Sequence, residues 1–270
     1  MKSILFALAV MCLACAANAK PAERVQHLEV YSEANKQKLP VSVVLPSRYF
    51  TDKKAEFTVV YSLCGLGGLC TDYVKNTAEF MKEYTDRFDF ILVCPHNGLD
   101  GWYFDAPGKM YETFCAVEVP AYIESHYRTK TDRLHRIIYG GSMGGHGALL
   151  LARLYPDKYQ IVGSLAPAIN LRFWGTDWKT GKRTLTECNN AENAAAYKDK
   201  GFKILIDAGV RDSLCQMARD FHEDLKKEGV DHVYVERDGA HDEPYWTEAL
   251  KGFLNFAFDE LKKLEADEEK

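Results

Sequence analysis

The sequence lacks the features that mark proteins of membranes, nucleic acids and metal centres. The apolar run over residues 4–17 is too short to span a bilayer. Lysine and arginine are scattered, and a formal net charge of −5 disfavours a nucleic-acid partner. After residue 19 no CxxC pair occurs, which argues against the common zinc and dithiol motifs. Internal repeats and low-complexity linkers are also missing. These absences leave a globular protein of one domain, with 47% hydrophobic residues.

The first nineteen residues have the pattern of a secretory signal peptide. Lys2 precedes the apolar run, which ends in ANA at 17–19, a small-x-small sequence that signal peptidase accepts. We therefore expect cleavage after residue 19 and a mature chain over 20–270. That chain would be exported to the periplasm or the medium, without stable membrane insertion. Lipoprotein anchoring through Cys15 is a less favoured alternative, because the preceding residues make a poor lipobox.

Six cysteines remain in the expected mature chain. An oxidising compartment favours one or more disulfides, but the sequence does not choose among the possible pairings. Cys64 and Cys94 each end an apolar, strand-like run, which is also typical of buried free thiols. The six are Cys64, Cys70, Cys94, Cys115, Cys188 and Cys215.

Apolar and amphipathic segments alternate along the chain. Two segments with strand-like alternation, LEVYS and PVSVVLP, precede continuous apolar runs such as FTVVYSLC and FDFILVC, which are typical of strands covered on both faces. Segments with helical spacing lie between the later strands. This order predicts an α/β fold with a mostly parallel central sheet and helices on both faces. Residues 170–200 are polar, aromatic and long for a connection, which predicts an insertion or cap at the strand ends.

Two of the predicted helices rest on apolar spacing alone. Residues 73–84 predict one helix. Residues 110–121 predict another, which Pro120 should kink or limit because proline has no amide hydrogen.

The segment IIYGGSMGGHGALLLARLYP, residues 137–156, places five glycines and one serine between an apolar run and an amphipathic run. Its G-x-S-x-G core, centred on Ser142, lies in the strand–turn–helix context of a nucleophile elbow. Such a turn strains the serine backbone, and glycines two residues before and after let strand and helix pass closely. Ser142 would thereby lie at the carboxyl edge of the sheet, near a helix N-terminus that favours a developing anion.

A reactive serine needs a base and an acid, which in this fold follow in the order Ser, Asp, His. Asp212 follows the strand FKILIDAG, and His241 follows the strand HVYVER. Both are therefore expected at the sheet edge that carries Ser142.

Three other residues are rivals for these roles. Asp207 is a less suitable acid, because it lies within an apolar strand. His146 follows the serine on a helix that leads away, which favours packing. His96 lies just past a strand end, where it could line a pocket or have no role.

Two backbone amides should stabilise the oxyanion in a site of this kind. One is expected from Met143, the residue after the nucleophile. The other is expected from Leu66 in the glycine-rich loop LCGLGGLC, whose glycines allow close approach of a substrate.

Five motifs in order, over about residues 25–258, resemble the "Putative esterase" family of esterase D, tributyrin esterases, feruloyl and acetyl-xylan esterases and the mycolyltransferase antigens. The motifs are CGLGG, GWYFDAP, GGSMGGHGALLLARLYPDKY, DAGVRDSL and GAHDEPYW. The resemblance implies an α/β-hydrolase fold and carboxylic ester hydrolysis without cofactor or metal. Its catalytic groups would be Ser142, Asp212 and His241, with the amides of Leu66 and Met143.

The sequence departs from this family at two places. Cys64 stands where histidine is usual, and Ala166-Pro167 stand where Ser-Gly is usual. Neither position carries the triad chemistry, so the departures concern loop support and pocket shape.

The substrate is indicated less directly than the reaction. Trp102, Tyr103 and Trp174 could form an aromatic wall for a feruloyl group or a sugar ring, although core packing explains them equally well. From the resemblance we expect a small-molecule or polysaccharide ester, feruloyl or acetyl. The alternatives are an acyltransferase of the mycolyltransferase type and a noncatalytic carbohydrate-binding protein. The acyl group, the alcohol and the oligomeric state stay open.

Overall fold

The computed structural model describes residues 23–175 and 177–268. The expected signal peptide and the alternative anchor Cys15 lie outside these residues. The strands are β1 (Val25–Ser32), β2 (Gln37–Val44), β3 (Thr58–Leu63), β4 (Phe90–Pro95), β5 (Asp105–Ala106), β6 (Lys109–Met110), β7 (Arg136–Gly141), β8 (Ile161–Leu165), β9 (Lys203–Gly209) and β10 (Val233–Arg237).

Eight of the described strands form one sheet in the order β1-β2-β4-β3-β7-β8-β9-β10. β2 runs antiparallel to both β1 and β4, and every neighbouring pair from β4 to β10 is parallel. This confirms the predicted α/β fold with a mostly parallel sheet. Because parallel strands end at the same edge, the loops after β3, β7, β9 and β10 gather there.

The helices cover both faces of this sheet, as predicted. Residues of α5, α6 and α8 belong to one apolar core, and residues of α2, α3 and α9 belong to a second. Successive β3 side chains alternate between the two cores, because neighbouring strand residues point to opposite faces. The helices are α1 (Arg48–Thr51), α2 (Cys70–Asn76), α3 (Ala78–Phe88), α4 (Tyr111–Thr113), α5 (Val119–His126), α6 (Met143–Leu154), α7 (Leu185–Cys188), α8 (Cys215–Glu228) and α9 (Glu243–Glu268).

The two helices predicted from apolar spacing alone differ from expectation. The first is divided at Thr77, whose φ of −106° and ψ of 10° separate α2 from α3. In the second, Pro120 does not end the helical segment, which continues to His126. A π-helical turn, Phe114–Glu118, precedes α5, so the amide that proline lacks falls in the first turn of α5, where proline is tolerated.

Residues 170–200 follow β8 and contain short 3₁₀ helices and α7. Arg183 in this segment forms a bidentate ion pair with the buried carboxylate of Glu112, with an Nη2–Oε1 distance of 2.8 Å. The Gly181 amide donates to the Asp105 carbonyl at 2.6 Å. These contacts attach the segment to residues 105–112 and fix it beside the carboxyl edge of the sheet.

The six cysteines of the described residues are all free and buried. The described residues therefore contain none of the disulfides that an oxidising compartment favours. The alternative given for Cys64 and Cys94, that they are buried free thiols, is the one seen in this structure. The Sγ atoms of Cys64 and Cys94 lie 3.4 Å apart.

Candidate active site

Ser142 lies between β7 and α6, in a turn that requires glycine two residues before it and two residues after it. Its φ of 57° and ψ of −120° are strained for an L-residue, as the G-x-S-x-G pattern predicts. A Cβ on Gly140 would lie 2.3 Å from the Gly144 carbonyl, and a Cβ on Gly144 would lie 2.0 Å from the Leu63 carbonyl oxygen. The small residues therefore let β7, α6 and the end of β3 meet around the serine.

The structure brings together the three residues predicted as a triad. The Ser142 hydroxyl lies 3.1 Å from His241 Nε2, and His241 Nδ1 lies 2.6 Å from Asp212 Oδ2. The second carboxylate oxygen of Asp212 accepts the Leu214 amide at 2.8 Å. The Asp212 side chain is fully buried, whereas that of His241 is 39% exposed. The acid is therefore fixed, and the base faces the site.

Asp207, the rival acid, is engaged elsewhere. Arg237 Nε donates to both of its carboxylate oxygens at 2.9–3.0 Å, and the Tyr245 hydroxyl donates at 3.0 Å. This buried network joins β9, β10 and α9 and leaves no carboxylate oxygen for His241.

Among the described residues, neither rival base has its imidazole hydrogen-bonded to the Ser142 hydroxyl, which instead contacts His241. His146 is buried, and its Nδ1 accepts the Asn190 side-chain amide at 3.1 Å. Burial lowers the pKa of His146 to about 3, so the ring is neutral and serves packing. His96 does not line the cavity described below, and burial lowers its pKa as well.

In the loop after β3, the Leu66 amide is available to an anion. In this loop the Gly67 amide donates to the Leu99 carbonyl at 2.7 Å, and the Gly68 amide donates to the Gly65 carbonyl at 3.1 Å. Within the described residues the Leu66 amide has no carbonyl partner. Met143 supplies the first amide of α6, where helix geometry provides no acceptor. Both amides predicted for the oxyanion hole can therefore donate to a substrate.

A cavity of about 810 Å³ surrounds Ser142. Trp102 and Trp174 line one side, with ring centroids 5.1 Å apart. The other side belongs to the second apolar core and lies between α2–α3 and α9. Its large side chains are Tyr73, Phe80, Trp246 and Leu250. Ser142 thus lies between two apolar walls on opposite faces of the sheet.

The family model described as "Putative esterase" matches residues 32–257. The chain belongs to this family. An S-formylglutathione hydrolase of Bos taurus is 31% identical over 207 residues, which cover 66% of this chain and 71% of that relative. An acetyl esterase of Caldicellulosiruptor saccharolyticus is 24% identical over 269 residues, which cover 89% and 98%.

A solved structure shows the same architecture. A ferulic acid esterase superposes with a TM-score of 0.77 at 27% identity, and the match covers 87% of this chain and 97% of that one. Two esterases of Mycobacterium tuberculosis are 32% identical over 140 residues, but the chain spans only 30% of their length. Family and fold together place this chain among the α/β-hydrolase esterases in sequence family and architecture.

Tyr103, predicted to line the pocket of this esterase-family domain, lies outside it. Its hydroxyl donates to the Cys64 carbonyl at 2.8 Å, and its ring covers Gly147, where a Cβ would lie 2.2 Å from it. Trp102 and Tyr103 both have positive φ, 50° and 61°, so the turn directs neighbouring side chains to different places. Trp102 reaches the cavity, and Tyr103 supports the loop that carries Leu66.

The sequence did not point to the wall on the α9 side. Trp246 contacts the His241 ring edge to face, with centroids 4.8 Å apart, and covers Gly141. It belongs to the motif GAHDEPYW, which could have indicated it. Phe80 has no such signal, because it lies in an ordinary amphipathic helix far from every motif.

Cys64 lines the cavity at the position where the family usually has histidine. In the described residues no group of three His, Cys, Asp or Glu side chains could hold a metal ion, and no helix is long and apolar enough to cross a membrane.

Proposed function

We propose that this protein is a secreted serine hydrolase that cleaves feruloyl or acetyl esters of plant polysaccharide. The observation that carries the proposal is the contact of Ser142 with His241 at 3.1 Å, inside an aromatic-lined cavity of about 810 Å³. Esterase chemistry follows from the family. The identity of the ester and the export of the chain are the further steps that the proposal adds.

In the first half of the reaction, the Ser142 hydroxyl attacks the ester carbonyl while His241 Nε2 takes its proton. Asp212 holds the proton on Nδ1, which leaves Nε2 free to accept. The amides of Leu66 and Met143 donate to the developing oxyanion, and loss of one such donor typically costs about 10²- to 10³-fold in rate. The tetrahedral intermediate collapses when the histidine protonates the leaving alcohol.

In the second half, the histidine activates a water molecule. The water attacks the acyl-serine carbonyl, and the same two amides stabilise the second oxyanion. Collapse breaks the bond to Ser142 Oγ, which recovers its proton from His241. The carboxylic acid leaves, and the site returns to its starting state.

The dimensions of the cavity favour a feruloyl group over an acetyl group. An acetyl group would fill little of about 810 Å³, whereas a phenolic ring can pack against Trp102 and Trp174. A ferulic acid esterase and an acetyl esterase among the similar proteins support these two acyl groups.

Export rests on the sequence of residues 1–19. We expect the purified mature chain to begin at Lys20 when it is recovered from the periplasm or the medium. Amino-terminal sequencing of each cell fraction tests this. A full-length chain retained in the cytoplasm would contradict it.

The first experiment measures acid release from 4-nitrophenyl acetate, methyl ferulate and feruloylated or acetylated xylan. We expect hydrolysis by the wild type and loss of it in Ser142→Ala. Activity that survives this substitution would overturn the assignment. Transfer of the acyl group to an added sugar, instead of acid release, would favour the transferase, and silence on all substrates would favour a binding protein.

A matched pair of variants tests the acyl group. Trp174 lines the cavity, whereas its neighbour Phe173 is 67% exposed and does not. Loss of an aromatic contact worth about 0.5–1.5 kcal/mol should raise KM for methyl ferulate about 2- to 10-fold in Trp174→Ala. The same substitution should leave KM for 4-nitrophenyl acetate within twofold, and Phe173→Ala should change neither. Equal effects of both variants would contradict an aromatic acyl site.

A further inference from the structure

Two thiols meet beneath the loop that holds the oxyanion. Cys94 lies in β4, and Cys64 directly follows the neighbouring parallel strand β3. Their Sγ atoms are 3.4 Å apart, and both residues are buried, Cys94 completely and Cys64 to 6% exposure. The Cys94 thiol is also hydrogen-bonded to the Cys70 thiol.

Cys64 is coupled to the reacting groups by its backbone. It lies two residues before Leu66, and its carbonyl accepts the Tyr103 hydroxyl at 2.8 Å. The helix that follows Ser142 packs on the same carbonyl, because a Cβ on Gly144 would lie 2.9 Å from it. A displacement of Cys64 therefore moves the Leu66 amide and disturbs the packing of the elbow.

We propose that Cys64 and Cys94 form a reversible disulfide and that its formation slows ester hydrolysis by displacing the Leu66 amide. The effect on rate rests on the proposed function, whereas the disulfide itself does not. The structure with both thiols free has the triad in contact, so the reduced form is the active one.

The co-reactant is a low-molecular-weight disulfide. Cys64 lines the cavity and is 6% exposed, whereas Cys94 is fully buried, so Cys64 is the thiol that such a molecule reaches first. The Cys64 thiolate attacks one sulfur of the reagent, forms a mixed disulfide and releases the first small thiolate. Cys94 then attacks the Cys64 sulfur and releases the second. The two protons lost by the cysteines are taken up by the two thiolates released, and dithiothreitol reverses the exchange.

The expected size of the effect follows from distances. A disulfide requires an S–S distance of about 2.05 Å, so the sulfur atoms must move together by about 1.4 Å. Misplacement of a catalytic group by about 1 Å can cost about 10²-fold in rate. Because the movement is shared between two strand ends, we expect kcat to fall about 10- to 100-fold, with a smaller change in KM.

Cys70 is the competing partner. Cys94 also donates a hydrogen bond to the Cys70 thiol, which lowers the pKa of Cys70. Cys70 does not line the cavity and begins α2, at the far end of the Leu66 loop. A disulfide between Cys70 and Cys94 would thus leave the oxyanion loop in place.

The test incubates the full chain with hydroxyethyl disulfide and then with dithiothreitol. Peptide mass mapping after alkylation should find the Cys64 and Cys94 peptides joined, with the loss of two hydrogens. The kcat for 4-nitrophenyl acetate and the rate of Ser142 labelling by a fluorophosphonate should fall together and recover on reduction. The labelling rate reports the oxyanion site even if the ester substrate has been chosen wrongly.

The matched variants are Cys94→Ala and Cys188→Ala, since both cysteines are fully buried and only the first contacts Cys64. Cys188→Ala should respond to the oxidant like the wild type, whereas Cys94→Ala should not. The proposal would be overturned if mapping found no Cys64–Cys94 linkage, or found Cys70 linked instead. It would also be overturned if the Cys64–Cys94 linkage formed while kcat and the rate of Ser142 labelling stayed unchanged. If Cys94→Ala does not fold, mapping and reversal on the wild type decide alone. A reduced enzyme that labels at Ser142 but cleaves no ester would count against the proposed substrates and not against the thiol pair.

Discussion

Replacement of Asp212 by asparagine should impair catalysis without unfolding the protein. Asp212 Oδ1 accepts the Leu214 amide at 2.8 Å, so the retained side-chain oxygen of asparagine will keep that bond. The new NH₂ group then faces His241 Nδ1, which lies 2.6 Å from Oδ2 in the wild type. A donor at this position requires an unprotonated Nδ1. The proton moves to Nε2, and the histidine can no longer accept the proton of Ser142.

The magnitude follows from the loss of this tautomer. An acid-to-amide change at the orienting residue of a triad lowers kcat about 10⁴-fold, equivalent to about 5 kcal/mol of transition-state stabilisation. The free energy of unfolding should change by less than about 1 kcal/mol, because the new side chain has the same shape and keeps its backbone contact.

Asp207→Asn is the matched control, since both aspartates are buried and both were candidates for the acid. Removal of one partner from a buried ion pair costs about 3–5 kcal/mol. The Arg237 side chain is 27% exposed, so water compensates in part, and we expect about 2–3 kcal/mol of lost stability. The kcat of this variant should stay within about tenfold of the wild type.

Two measurements separate the variants. The first is kcat for 4-nitrophenyl acetate, with Ser142→Ala as the floor of detection, and the second is urea unfolding in the same buffer. A fall in kcat for Asp207→Asn as large as that for Asp212→Asn would refute the assignment of Asp212 as the orienting acid. Wild-type activity in Asp212→Asn would refute the tautomer argument itself.

Two further predictions concern the elbow and the buried histidine. Gly144→Ala should lose about 3 kcal/mol or more of stability, because its Cβ would lie 2.0 Å from the Leu63 backbone oxygen. Gly145→Ala should lose clearly less, because the nearest atom to its Cβ would be 3.1 Å away. Urea denaturation of both variants measures the difference. Burial lowers the pKa of His146 from 6.5 to about 3. Between pH 6.5 and pH 3 the His146 ring therefore binds a proton only in the unfolded chain. The free energy of unfolding then falls by about 1.4 kcal/mol for each pH unit of acidification. His146→Gln should reduce that slope between pH 6 and pH 4, and parallel slopes would contradict the prediction.

The core of the candidate site could be predicted because its signals are local. Gly140 and Gly144 are spaced as a strand-to-helix turn demands, and that turn alone presents Ser142 at the carboxyl edge of the sheet. The sequence favours Asp212 over Asp207 as the acid, because Asp212 follows an apolar strand whereas Asp207 lies inside it. The structure places the first within reach of His241 and the second in an ion pair with Arg237.

Other features depended on contacts that no local pattern encodes. Trp102 and Tyr103 are neighbours with similar chemistry, yet only the first reaches the cavity, because the turn that separates them also depends on packing against Gly147. The cysteines gave no pairing, since the proximity of Cys64 and Cys94 depends on the order of strands in the sheet.

By itself, the sequence determined the alternation of strands and helices, the elbow at Ser142 and the order of the acid and the base, because each depends on residues close together in the chain. Only the tertiary structure decided which aromatic side chains face the substrate, with Phe80 and Trp246 on one wall and Trp174 on the other. It also decided that two thiols meet under the oxyanion loop. These contacts join segments far apart in sequence, and their positions are set by how β-strands, helices and the 170–200 segment pack together.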